Sequence, residues 1–276
     1  MPDSRPSSIR DEALGYLRML QRVGFVVLPA GEPSASPEAS KAAPRAPTAS
    51  TRRVVAPTAR QSNGQLTMDL FAPAGGRRPD LSIEEKARKL AEIAAEVAQC
   101  RKCALCQSRT NTVPGEGSPN AKLVFVGEAP GYYEDVRGRP FVGRAGELLD
   151  KMIEAMRLHR RDVFICNVIK CRPPENRNPT PEEMRACEGY LLRQLEALSP
   201  SIIVSLGNLA TQCLLATREP ISRLRGQWRE FHGIALMPTY HPAYLLRNPG
   251  DKRKCWEDLQ KAMAEYERTV GPLPPA

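Results

Sequence analysis

The chain has 276 residues, of which 41% are hydrophobic and 26% charged, with a formal net charge of +9. No apolar run reaches 18 residues, which excludes a membrane-spanning helix, and the start "MPDSRPSSIRDEALGYL" lacks the charged-then-apolar order of a signal peptide. A soluble, cytoplasmic protein is expected, with a basic surface suited to a polyanion such as nucleic acid, although linker arginines contribute to that charge.

Residues 1–28 read as a short N-terminal element. Within "SIRDEALGYLRMLQRVGFVVL", Leu14, Leu17 and Leu20 recur every third residue along one helical stripe, and "GFVVL" is strand-like. Residues 29–80 are mostly Ala, Pro, Ser, Thr and Arg. They carry too little apolar surface to offset their ordering entropy and read as a disordered linker. One short stretch stands out in it: "QLTMDLF", Gln65 to Phe71, places Leu66, Met68, Leu70 and Phe71 in polar surroundings, as a docking peptide does. The folded domain is expected over 81–268, with a loose tail at 269–276.

The domain opens with the helical pattern "SIEEKARKLAEIAAEVAQC". Ser82 and Glu85 have capping-box spacing, and Ile83, Leu90, Ile93 and Val97 mark the apolar face. Strand and helix patterns then alternate. Strands are expected at 122–127, 162–170, 201–207 and 233–242, with helices at 143–159, from Pro181 to Pro200, after Gly207 and from Asp251 onward. This rhythm predicts an α/β protein: a three-layer α/β/α sandwich around a central, mostly parallel four-stranded sheet.

Ligands of open α/β sheets bind beyond the carboxyl ends of the strands. Those ends here run into "GEAPG" (127–131), "NVIKCRPPENRNP" (167–179), "GN" (207–208) and "YHPAYLLRNP" (240–249). Gly127 and Gly131 permit a tight turn and close approach by a ligand, and Glu128 is a carboxylate at a strand end. Phe141 is either a stacking platform for a planar base or a core residue. His159 and His232 read as surface residues, whereas His241 sits at the convergent edge and suits acid or electrostatic work.

Eight cysteines in a reducing compartment are better ligands than disulfides. In "CRKCALC", Cys100 pairs with Cys103, or Cys103 with Cys106, at C-x₂-C spacing; Cys171 and Cys187 complete a set of four. Spacing alone allows zinc or an iron–sulfur cluster. Cys166, Cys213 and Cys255 fit ordinary buried thiols.

"GEAPG", "GRPFVGRAG", "NVIKCRPPENRNPTPEEMRAC" and "HPAYLLRNP", in this order, resemble the type 4 uracil-DNA glycosylases, the iron–sulfur branch of the uracil-DNA glycosylase superfamily. The resemblance covers roughly residues 95–262. It implies excision of uracil from DNA at the start of base excision repair, by a monofunctional hydrolase that leaves an abasic site. It also implies a structural [4Fe–4S] cluster. The register against Arg109-Thr110 assigns that cluster to Cys100, Cys103, Cys171 and Cys187 and leaves Cys106 as a bystander.

By the same resemblance, Phe141 stacks on uracil, with Gly127 beside it. Asn167 reads the pyrimidine edge, and Glu134 stands near C5, where it excludes thymine's methyl group. His241 faces O2, and Glu128 lies near the attacking water. The most active relatives have an aspartate where this chain has Ala129, so the identity of a general base stays open. Leu245 or Leu246 is the expected wedge into the vacated stack, with Arg247 on phosphate. Gln65–Phe71 is similar to bacterial sliding-clamp-binding peptides. A monomer is expected. The alternatives are a glycosylase for another deaminated base and a non-catalytic iron–sulfur or zinc DNA-binding module.

Overall fold

The computed structural model describes residues 81–275. The N-terminal element 1–28, the linker 29–80 and the peptide Gln65–Phe71 lie outside the described residues. The first helix, α1 (Ile83–Gln99), begins at the expected capping box: Ser82 Oγ accepts from the Glu85 N–H at 3.2 Å, and Glu85 Oε2 accepts from the Ser82 N–H at 2.9 Å. Its buried face carries Ile93 and Val97 as read, but Ile83, in the first turn, points outward and is 52% exposed. Lys86 is buried instead, with its ammonium donating to Leu198 O at 3.2 Å.

Six strands form one sheet. They are β1 (Glu116–Gly117), β2 (Leu123–Gly127), β3 (Phe164–Asn167), β4 (Ile202–Leu206), β5 (Arg229–Phe231) and β6 (Ile234–Thr239), in the order β1-β3-β2-β4-β6-β5. The four expected strands are the parallel centre, β3-β2-β4-β6. The count of four is corrected by two short edge strands, β1 on β3 and β5 on β6, both antiparallel. They complete a mostly parallel sheet and leave the parallel strands unexposed at its edges.

Every residue of β2 and β4 is buried, as strands covered on both faces must be. Side chains alternate between two cores. Leu123, Phe125, Ile202, Val204 and Leu206 enter one core, with residues of α3 (Arg144–Ala155) and the last helix, α8 (Lys252–Thr269). Val124, Val126 and Ile203 enter the other, with α1, α4 (Pro181–Leu198) and α5 (Asn208–Leu214). This is the expected three-layer arrangement. Shorter helices complete it: α2 (Tyr132–Arg137), α6 (Ile221–Leu224) and α7 (Pro242–Arg247).

The expectation of a loose tail from residue 269 is also corrected. Leu273 is 6% exposed and belongs to the core that holds Trp256 and Leu259. No described helix is long and apolar enough to cross a membrane.

Candidate active site

Register brings the site together. Gly127 at the end of β2 pairs with Asn167 at the end of β3, and Gly207 after β4 donates to Thr239 O at 2.9 Å, just before His241. A cleft of about 460 Å³ opens at this edge. Glu128, Glu134, Phe141, Asn167 and His241 all line it, as does Arg247. Asn176, Arg177 and Tyr244 line it too, and sequence reasoning did not single them out.

Asn167 is 1% exposed, and its Oδ1 is buried without a hydrogen-bond partner. Leaving such an oxygen unpaired costs about 1–3 kcal/mol, so its persistence points to a ligand donor. Gly127 lies against it: a Cβ there would sit 2.4 Å from Asn167 Oδ1 and 2.6 Å from Phe141 Cζ. Only glycine leaves room for both. The Asn167 carbonyl accepts from Lys170 Nζ at 2.7 Å, and Lys170 also donates to Gln194 Oε1 at 2.7 Å. Lys170 is fully buried, and burial holds its pKa down.

Phe141 has a left-handed backbone (φ 50°) and is 6% exposed. It packs in the core and also lines the cleft. Its loop is gripped from two sides. Arg160 donates to the Pro140 and Phe141 carbonyls and is itself held by Glu116 and by Asp150 at 2.8 Å. Glu134 Oε1 accepts from the Val142 and Gly143 N–H groups at 2.8 and 3.1 Å. Glu134 thus fixes the turn that presents Phe141.

His241 caps α7. Its Nδ1 accepts from the Ala243 N–H at 3.1 Å, which leaves the proton of a neutral ring on Nε2. Burial first, then the Arg247 charge, push its pKa from 6.5 down to about 4, against an opposing effect of Glu134. At neutral pH the ring is therefore an uncharged Nε2–H donor. The Phe141 and His241 ring centres lie 5.6 Å apart. Gly207 (φ 91°) allows close approach here, since a Cβ would meet His241 Cβ at 2.8 Å. Glu128 is half-buried, and burial raises its carboxyl pKa.

The expected wedge is corrected in part. Residues 242–247 form a helix, not a loop, and its turn carries Leu245 into the core at 1% exposure. Leu246 faces out at 36%. Leu245 is therefore a packing residue, and Leu246 is the apolar side chain presented beside the cleft.

The four expected cysteine ligands share one region. Cys171 and Cys187 are buried in the second core, and Cys100 and Cys103 pack against it, whereas Cys106 does not. Arg109 ties the two halves together: Nη1 donates to Cys171 Sγ at 3.1 Å, while Nη2 donates to Cys100 O at 2.9 Å and Ala98 O at 3.0 Å. Burial raises the Cys187 thiol pKa, with Cys103 and Cys100 adding to it, and pushes Cys171 up to about 11. A cationic metal centre would reverse that cost by stabilising the thiolates, so this donor set fits a sulfur-ligated cluster. Among the described residues no three potential ligands lie close enough to share a single ion. A four-iron cluster, which spreads its thiolates over four metals, has a different requirement.

The family model of the uracil DNA glycosylase superfamily matches residues 114–260. The type-4 uracil-DNA glycosylase of Archaeoglobus fulgidus is 46% identical over 180 residues, covering 62% of this chain and 90% of that protein. That of Thermotoga maritima is 47% identical over 179 residues, covering 63% and 93%. The type-5 uracil-DNA glycosylase of Pyrobaculum aerophilum is more distant, at 34% over 157 residues, covering 50% and 68%. Fold, cleft and similarity agree, and the chain belongs to the uracil DNA glycosylase superfamily.

Proposed function

We infer that the protein excises uracil from DNA by hydrolysing the N-glycosidic bond, the first step of base excision repair. The observation that carries this reading is the buried, unpartnered Asn167 Oδ1 in a cleft shared with Phe141 and a neutral His241. An amide offers an acceptor and a donor together, matching uracil N3–H and O4; cytosine presents the opposite pattern.

The target nucleotide leaves the stack, because its glycosidic bond is unreachable inside the helix. Leu246 fills the vacated space, and Arg247 takes a phosphate. Phe141 stacks on the flipped base while Asn167 reads its edge. Glu134 narrows the cleft near C5, which disfavours thymine. As the bond breaks, the sugar gains oxocarbenium character and uracil becomes an anion. The Nε2–H of His241 is aimed at O2, where that charge develops; a single such donor is typically worth about 10²–10³ in rate. Glu128 supports the cation or orients water. Ala129 lines the cleft at the position where the most active relatives carry an aspartate, so this chain works without a carboxylate there. Among the described residues no lysine lines the cleft, so the product is an intact abasic strand.

Cys100, Cys103, Cys171 and Cys187 would hold a [4Fe–4S] cluster. Held by these thiolates, such a cluster would join the segment after α1 to the loop after β3 and to α4, beside the strand that ends at Asn167. Gln65–Phe71 docks the enzyme on the bacterial sliding clamp, and the enzyme acts as a cytoplasmic monomer. The test is incubation of uracil-containing DNA with pure protein. Strand scission only after alkali is expected, and scission without alkali would overturn the monofunctional assignment.

A further inference from the structure

Two tyrosines directly follow a glycine that lines the cleft, and both are exposed. Tyr132 and Tyr133 open α2 directly after Gly131, which lines the cleft, and each is 56% exposed. Their rings meet edge to face at 5.4 Å. The Arg172 guanidinium lies 5.2 Å from the centre of the Tyr132 ring. Its Nε donates to Asn176 Oδ1 at 2.8 Å, and Asn176 lines the cleft as well. Neither contact is with a carboxylate, so the charge of Arg172 is not neutralised by a described side chain.

A single exposed tyrosine is ordinary. Two in succession, with a cation over one ring and contiguous with a substrate cleft, form a platform. Aromatic rings backed by arginine are how proteins hold unstacked bases without reading their sequence. Position also favours DNA over a protein partner. A strand whose base occupies the cleft has to pass the residues that line it, and Gly131, Pro173 and Asn176, which neighbour Tyr132 and Arg172, are among them. Leu246 and Arg247 occupy the α7 side.

On the strength of the uracil-excision reading, we propose that Tyr132, with Tyr133 beside it, stacks on a nucleotide flanking the uracil in the same strand, while Arg172 engages the adjoining phosphate. In a duplex the flanking base already stacks on its neighbours. In a single strand it is unpaired and only partly stacked, so the platform contributes more to single-stranded than to duplex binding.

The test uses the full chain and oligonucleotides carrying one non-cleavable 2′-fluoro-deoxyuridine, read by fluorescence anisotropy. Tyr132→Ala is expected to raise Kd for the single strand about 5- to 100-fold, the range that base–aromatic stacking supports, and to raise it less for the duplex. Tyr132→Phe keeps affinity. Arg172→Gln lowers the slope of log K against log salt by about 0.7. Removing the flanking nucleotides on the α2 side of the uracil reproduces the loss in the wild type and costs Tyr132→Ala nothing more. The saturating excision rate of Tyr132→Ala stays within about twofold of the wild type, as expected of a group that binds DNA away from the reacting bond.

The platform is refuted if the Tyr132→Ala/Tyr133→Ala double variant binds every oligonucleotide as the wild type does. It is equally refuted if Tyr132→Phe fails to restore binding. A wild type that releases no uracil, yet loses single-strand affinity on Tyr132→Ala, overturns the excision reading and leaves the platform standing.

Discussion

Lowering the pH separates His241 from an ordinary histidine. The site pushes its pKa from 6.5 to about 4 through burial and then the Arg247 charge. That difference corresponds to about 3 kcal/mol in favour of the neutral ring, an upper bound because the ring is partly exposed. The sign follows from proton binding. Between about pH 4 and 6.5 the unfolded chain binds a proton that the folded chain refuses. Stability from this group is therefore complete above 6.5 and is lost as the pH falls toward 4. Excision follows the folded-state value alone. The Nε2–H donor persists from neutral pH down to about 5, so a single-turnover rate profile should show no His241 inflection near 6.5. Glu128, whose carboxyl is raised by burial, is expected to supply the acid limb, and Glu128→Gln should flatten it. Nitrogen NMR of His241 checks the state directly: protonated Nε2 and bare Nδ1 at pH 7. A midpoint near 6.5, or a proton on Nδ1, would refute the neutral-donor argument.

Further outcomes concern the ligands, the base reader and the linker. Cys103→Ser should abolish the visible absorption of an iron–sulfur cluster while Cys106→Ser keeps it; the reverse would overturn the register set by Arg109. Gly127→Ala pushes a methyl group against Asn167 Oδ1 and Phe141. It should leave the fold intact by circular dichroism and cut kcat/KM about 100-fold, since misplacing a positioning group by about 1 Å costs that much; near-normal activity would dissolve the claim that this contact sets the reader. Leu70→Ala with Phe71→Ala should abolish pull-down by the bacterial sliding clamp, and unchanged capture would remove the docking role of the linker.

What the sequence made legible follows from how locally each feature is encoded. The central strands announced themselves because buried parallel strands are continuous apolar runs bounded by glycine. The edge strands did not: β1 is two residues long, and "REF" in β5 is mostly exposed. Pairing with β3 and β6, not composition, makes them strands. Leu245 and Leu246 are indistinguishable as residue types, and the helical turn of α7 alone decides which is buried. The Thr180–Glu183 capping box that starts α4 was readable from its T-x-x-E spacing and was missed. Leu273 was hidden by the prolines around it. Arg160, which holds the loop of Phe141, has its partners Phe141 and Glu116 19 and 44 residues away, and Lys170 joins the nearby carbonyl of Asn167 to Gln194, 24 residues further on. Their roles appear only once the chain is folded. The places of Gly127, Asn167 and His241 at the edge where the sheet opens were legible from the strand pattern, whereas the role of Asn167 came from the resemblance.

Uracil specificity is decided by the base released. Duplexes matched in sequence and carrying a single U·G, T·G or C·G pair should be incubated with the protein and the free bases identified by mass. Free uracil from U·G alone is predicted, with His241→Ala slowing release about 10²–10³-fold. No uracil from the wild type, or comparable release of thymine or cytosine, would contradict it.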